Sequence, residues 1–344
     1  MANRTVIGTF EGQPVEEIEL RSAFGAVAKI MTWGAVVRDL QVPHRGTLQR
    51  VVLGFEDFEH YPQHSPHFGA IAGRFANRIN HGSFKLDGKK VQLTLNQNDP
   101  PGPGGTPKHH LHGGKSGFGK RLWTILKSTS DSVTLGLVSD DGDEGYPGTL
   151  LVTCTYTLAG QSTLRVELSA TTDRPTIVNL AHHSYFNLDG SASIDHHLLS
   201  LDAAYRTPTD KDLIPTGEIL SVAKTPYDFR KSKPMMQSVG GERLRFDGNF
   251  VRSSIGFGRC ARVESPLNGL TLECWTDQSA VQFYDGAKMN VQPKGLGGAH
   301  YGNYSGFCLE PQIYPDSPNR PHFTNAELWP GDVYSQLTEY RFKS

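Results

Sequence analysis

The chain has 344 residues, 37 of them glycine and 21 proline, and its 34 Lys and Arg against 35 Asp and Glu leave a formal charge of −1. So even a balance argues against a nucleic-acid binder and gives no support for steering a highly charged substrate, so the ligand is expected to be small and neutral. No apolar run approaches the length of a membrane span, the opening residues contain no signal-peptide core, and the four cysteines include no C-x-x-C pair. The expectation is a cytoplasmic, reduced protein, in contact with neither membrane nor nucleic acid.

Along the chain, period-two alternation dominates. Helical periodicity is scarce, with one or two turns expected over residues 55–61. Residues 84–86 and 91–95 read as a hairpin turned at Asp87-Gly88. The segment 98–107 (Asn98-Asp99-Pro100-Pro101-Gly102-Pro103-Gly104-Gly105-Thr106-Pro107) reads as an exposed loop, because its prolines cannot donate to a ladder and its glycines resist ordering. Residues 152–158 place Val152, Cys154, Tyr156 and Leu158 on one face and threonines on the other. Residues 163–171 repeat this with Leu164, Val166, Leu168 and Ala170 inward, after a short turn at Ala159-Gly160-Gln161. Residues 261–263 and 270–274 form a further hairpin at Asn268-Gly269, a dipeptide that favours type I′ turns. Short antiparallel strands at this spacing predict an all-β sandwich or barrel. No strand–helix alternation, fixed-period repeat or linker interrupts the pattern. One domain over residues 1–344 is therefore expected.

Several constellations could carry chemistry. Gly114-Lys115-Ser116-Gly117-Phe118-Gly119-Lys120 fits the first seven positions of a P-loop. Arg121 follows where a hydroxyl should hold magnesium, and no strand precedes it, so it reads as a glycine-rich turn. His109-His110-Leu111-His112 and His182-His183 invite a metal site, but neither has a recognised ligand spacing, and no metal is expected. Residues 305–312 place Phe307 and Leu309 on one face and Cys308, Glu310 and Gln312 on the other. Residues 280–284 likewise oppose Gln282 and Tyr284 to Val281 and Phe283, while Asn179, Ala181 and His183 share a face. Periodicity alone leaves two readings of Glu310: exposed on an outer sheet, or paired with a histidine as acid and base in a ligand groove.

At these residues the sequence resembles a known family. Gly73-Arg74-Phe75-Ala76-Asn77-Arg78-Ile79, Leu111-His112-Gly113-Gly114, His183-Ser184-Tyr185-Phe186-Asn187-Leu188 and Gly306-Phe307-Cys308-Leu309-Glu310 together resemble the aldose 1-epimerases, or galactose mutarotases. Asp143-Glu144-Gly145-Tyr146-Pro147-Gly148, Val281-Gln282-Phe283-Tyr284 and Leu328-Trp329-Pro330-Gly331-Asp332 extend the match, which runs from about residue 24 to the C-terminus. The resemblance implies a large antiparallel β-sandwich of the galactose mutarotase-like supersandwich kind, with few short helices and an open sugar groove on one sheet. It implies interconversion of the α and β anomers of free hexoses such as galactose and glucose, without a cofactor, by a monomer or weak homodimer. By matching motif positions, Glu310 is the expected general base and His183 the general acid. His112 would assist at the ring oxygen, with Asn77, Arg78, Asp247 and Gln282 holding the hydroxyls. His182 lies on the opposite strand face, and the Ser184-Tyr185-Phe186-Asn187-Leu188 string sets the register at His183. The rival readings are a mutarotase for hexose 6-phosphates, which needs further Arg or Lys at the groove, and a sugar-binding protein lacking the acid–base pair.

Overall fold

The alternation read along residues 150–172 becomes the centre of the larger sheet in a computed structural model of the chain, which describes residues 3–99 and 104–344. Strands Leu150–Ala159 and Thr163–Thr172 pair antiparallel from Leu150 opposite Thr172 to Ala159 opposite Thr163. Val152, Cys154, Tyr156, Leu158, Leu164, Val166, Leu168 and Ala170 are all buried. The hairpin lies inside a nine-stranded sheet whose order is Thr124–Ser128, Ser132–Ser139, Leu150–Ala159, Thr163–Thr172, Tyr334–Lys343, Thr271–Thr276, Gly258–Glu264, Leu198–Leu201 and Lys233–Pro234.

A six-stranded sheet faces it, in the order Tyr185–Phe186, Phe307–Gln312, Ala280–Tyr284, Asp247–Arg252, Ala203–Thr207 and Leu220–Ser221. Its inner residues Val281, Phe283, Phe307 and Leu309 share one core with Tyr156, Tyr340 and the other inward residues of the large sheet. Each such side chain contributes roughly 1.5–3 kcal/mol by burial. Polar tips join the layers: the Tyr340 hydroxyl donates to the Leu309 carbonyl at 2.9 Å and Gln336 Nε2 to the Pro311 carbonyl at 3.0 Å. A five-stranded N-terminal meander, Asn3–Phe10 to Thr47–Arg50, is tied in by the Tyr156 hydroxyl, which donates to the Ala35 carbonyl at 2.7 Å. The architecture is the large antiparallel sandwich with few short helices that the alternation and the resemblance implied.

Local details differ from the sequence reading for identifiable reasons. The helix spans His60–His64, not residues 55–61, because the Phe55 and Glu56 carbonyls, which a helix would pair with the N–H groups of residues 59 and 60, accept instead from the Arg38 guanidinium. Ser83–Leu86 and Lys89–Gln92 form the expected hairpin, with φ of 49° at Asp87 and 73° at Gly88, as a type I′ turn requires. At Asn268-Gly269 only the glycine is left-handed, and the connection from Glu264 to Thr271 is longer than a two-residue turn. The Pro/Gly-rich segment 98–107 has residues 100–103 outside the described residues. Its flanks are paired, Asn98 with Pro107 and Asp99 with Thr106.

The six-stranded sheet presents its second face to the site. Cys308, Glu310 and Gln312 point away from the Phe307–Leu309 side, as the alternation demands, but that face is roofed: Glu310 is 2% exposed and Gln282 4%. The roof comes from the segments that carry His67, Asn77 and His112, at each of which the backbone turns through positive φ (71°, 64° and 50°). Exposure of this size eliminates the reading of Glu310 as a solvated residue of an outer sheet.

Candidate active site

Glu310 and Gln282 are direct cross-strand partners, as are Gln282 and Asn249, so a polar row crosses neighbouring strands of the sheet. Each of these side chains holds a buried oxygen without a hydrogen-bond partner: Glu310 Oε2, Gln282 Oε1 and Asn249 Oδ1. An unmet buried acceptor costs about 1–3 kcal/mol, and a row of them is matched by a ligand rich in hydroxyl donors. Asn249 was not singled out in the sequence, although it stands two residues from Asp247 and therefore on the same strand face.

The residues chosen from the sequence meet in a closed circuit. Glu310 Oε2 faces His183 Nε2 at 3.6 Å, and the His183 and His112 rings lie edge to face with centroids 5.3 Å apart. His112 Nδ1 accepts the Asn77 backbone N–H at 3.1 Å, and Asn77 Oδ1 accepts the Arg78 backbone N–H at 2.9 Å. Arg78 Nη2 stands 4.0 Å from Asp247 Oδ2, and Gln282 Nε2 donates to Asp247 Oδ1 at 2.6 Å. Gln282 then returns the circuit to Glu310. The bond from Asn77 occupies His112 Nδ1 as an acceptor, so the neutral His112 ring carries its proton on Nε2.

His183 is held by its strand. Ala181–His183 pairs with Ala70–Ala72, which sends His183 to the polar face and His182 into the core beside Tyr156 and Tyr340. Glycine is required at 113, next to His112: a Cβ there would lie 1.7 Å from the Gly73 carbonyl oxygen. The loop carrying His112 therefore sits directly on the segment that leads into Asn77 and Arg78.

The environment perturbs the pair in opposite directions. Burial, and after it the charge of Asp247, pushes the Glu310 carboxyl well above the usual carboxylate range, against a smaller pull from Arg78. Burial pushes His183 down to about 4. Across the intervening pH range the pair therefore holds one proton, which the two shifts place on Glu310. The 3.6 Å separation is too long for a direct hydrogen bond, leaving both groups facing the same space. Cys308 Sγ lies 3.6 Å from His183 Nδ1, and burial keeps its thiol protonated.

Of the histidine clusters that suggested a metal, only His112 and His183 come together. His110 bonds the Thr94 carbonyl and the Tyr146 hydroxyl, each at 2.6 Å, and His109 turns toward His81 and Asp212. Among the described residues, His183, Cys308 and Glu310 do stand close enough to share an ion. In the other such group, Asp189, His196 and His197, the Leu188 N–H occupies His197 Nε2 and Asp189 already accepts from Ser265. Sequence reasoning also missed His67, whose ring centroid is 4.8 Å from that of His112 and 5.5 Å from that of His183. No alternation or motif marks the segment it occupies.

Comparison with known proteins establishes the family. Residues 16–341 match the family model described as aldose 1-epimerase. The chain is 42% identical to galactose mutarotase of Homo sapiens over 336 residues, covering 96% of this chain and 95% of the relative. It is 35% identical to aldose 1-epimerase of Haemophilus influenzae over the full length of both. A solved structure of a GalM/aldose epimerase homologue from C. elegans superposes with a TM-score of 0.88 at 32% identity, covering 95% of this chain and 98% of that one. With the family model spanning nearly the whole sequence and relatives matching end to end, this chain belongs to the aldose 1-epimerase family.

Proposed function

We propose that the chain interconverts the α and β anomers of free hexoses, galactose and glucose among them, with Glu310 and His183 moving the protons. The observation that carries this reading is the facing of Glu310 Oε2 and His183 Nε2 at 3.6 Å, buried beside a row of acceptors that lack donors. Opening the hemiacetal ring requires a proton to leave the C1 hydroxyl while another reaches the ring oxygen. With Glu310 at the hydroxyl and His183 at the ring oxygen, a carboxylate and an imidazolium perform both transfers and finish as carboxyl and neutral imidazole. After rotation about C1–C2, closure on the other face of the carbonyl runs the transfers backwards. The carboxyl and neutral imidazole that the two shifts favour thus match the protonation of the open-chain form. Sugar hydroxyls donating to Glu310 favour its ionised form and move the proton to His183. His112 assists at the ring oxygen, Asn77, Arg78, Asp247 and Gln282 hold the remaining hydroxyls, and no step calls for a metal or nucleotide.

Polarimetry of freshly dissolved α-D-galactose and α-D-glucose tests the activity. Optical rotation should relax faster with the protein than without it, and unchanged relaxation of both sugars would overturn the reading. A second reading, a phosphorylated hexose, has one observation in its favour. Arg206, Arg245 and Lys288 line a cavity of about 200 Å³ that includes Asp247, and Lys211 and Lys288 line one of about 390 Å³ that includes Arg78. Glucose 6-phosphate belongs in the same assay; a higher kcat/KM for it than for glucose would favour this second reading.

The pH dependence follows from the two shifts. Below about pH 4, where His183 gains its proton while Glu310 keeps its own, the pair has no base. Above the raised value for Glu310 the pair has no acid. A profile of kcat/KM for galactose, which reports the free enzyme, should fall on the acid side near pH 4 and on the alkaline side only well above the usual carboxylate range. A single limb at the ordinary imidazole value of about 6.5 would contradict the assignment.

A further inference from the structure

One imidazole in the groove has no place in the chemistry described so far. His67 lies in the turn after the His60–His64 helix, half-buried and with φ of 71°. Its ring stacks on His183, with centroids 5.5 Å apart and planes 29° apart, and tilts against His112 at 4.8 Å. The turn is clamped on both sides. The Tyr185 hydroxyl donates to the Pro66 carbonyl at 3.1 Å, the Phe68 N–H to Ser65 Oγ at 2.8 Å, and the Gly69 N–H to the His183 carbonyl at 3.1 Å. His67 is therefore tied to the backbone of the proposed acid itself.

Despite this fixed position, neither ring nitrogen of His67 makes a hydrogen bond among the described residues, and neither is shut away from solvent. Burial pushes the ring down to about 3, so near neutral pH it is uncharged and offers one donor and one acceptor. A rigid, neutral, unpaired imidazole among the residues that grip the sugar is suited to a hydroxyl. Its place beside His183 and His112 says which one. On the acid–base reading above, those rings meet the ring oxygen, which is flanked by C1 and C5. C1 belongs to Glu310, and the substituent on C5 of an aldohexopyranose is the hydroxymethyl group.

We propose that His67 is a substrate-binding residue that hydrogen-bonds the C6 hydroxyl and so makes the enzyme prefer hexoses bearing that hydroxyl over their 6-deoxy counterparts. The inference rests on the proposed placement of His183 at the ring oxygen.

The test compares kcat/KM for galactose and 6-deoxygalactose by polarimetry in the wild type, H67F and H67N. H67F keeps a stacking ring without nitrogens, and H67N keeps a residue type at ease in left-handed backbone should the larger ring fail to fold. The wild type should favour galactose by roughly three- to tenfold, the size of one neutral hydrogen bond, and each folded variant should bring the ratio close to one. A wild type indifferent to the C6 hydroxyl, or folded variants that keep its preference, would overturn the proposal. E310Q separates the two readings. If Glu310 is the base it slows both sugars alike and leaves their ratio unchanged, whereas full activity in E310Q would reject the acid–base reading without touching the ratio measured at His67.

Discussion

Glu310→Gln should lower kcat for galactose by roughly 10²–10⁴-fold, the range for a positioned proton transfer, while the protein stays folded. Gln has the shape of Glu but cannot take the C1 hydroxyl proton. The fold should survive because Glu310 Oε2 has no hydrogen-bond partner to lose. Stability should also rise. The folded-state value of Glu310 lies above the unfolded one, so the folded protein binds the proton more tightly, and stability declines as pH climbs from the unfolded value toward the folded one. Replacing the carboxyl by an amide removes that decline, so near pH 7 to 8 the variant should resist denaturant at least as well as the wild type. A folded E310Q enzyme with more than about a tenth of wild-type turnover would remove Glu310 from the mechanism.

Arg74→Ala should cost the fold about 3–5 kcal/mol, combining the loss of buried hydrogen bonds with a cavity. Arg74 is 1% exposed and its guanidinium fans out to separate parts of the chain. Nη1 donates to the Pro147 and Gly148 carbonyls at 3.0 and 2.8 Å, and Nη2 to the Ser139 carbonyl and Oγ at 3.0 and 2.6 Å. Alanine leaves buried carbonyls without donors. Arg74→Lys should recover only part of the loss, because an ammonium on a flexible stem cannot span acceptors arranged for a planar fork. Burial already pushes the Arg74 guanidinium down to about 10, which reflects how far it is removed from water. Denaturant unfolding checks the value, and a loss under about 1 kcal/mol would mean the fork is dispensable. Asn77 and Arg78 follow Arg74 closely, so the same substitution should raise KM for galactose.

The strands were legible wherever one face meets the core and the other does not. Val152 to Leu158 and Leu164 to Ala170 alternate because water and core impose a period of two on any half-buried strand. The same rule separated Glu310 from Leu309 and Gln282 from Phe283. It could not say what covered the polar face, since a strand with a solvated face and one with a roofed polar face share a pattern. The helix at residues 60–64 and the loop after Glu264 were misplaced because side-chain hydrogen bonds and longer-range contacts, absent from local periodicity, fix those bounds.

By itself the sequence determined the fold class, the facing of its alternating strands and, through its motif strings, the family. Those depend on local pattern and on residue types that stand in order along the chain. Only the tertiary structure decided that Glu310 is buried, that its oxygen stands 3.6 Å from His183 Nε2, and that Arg74 is an interior brace. It alone brought in His67. The physical reason is common to all of these. Burial, desolvation and the closing of the circuit from Glu310 through His112 to Asp247 arise from segments distant in sequence, brought together at positive-φ turns and by packing between sheets.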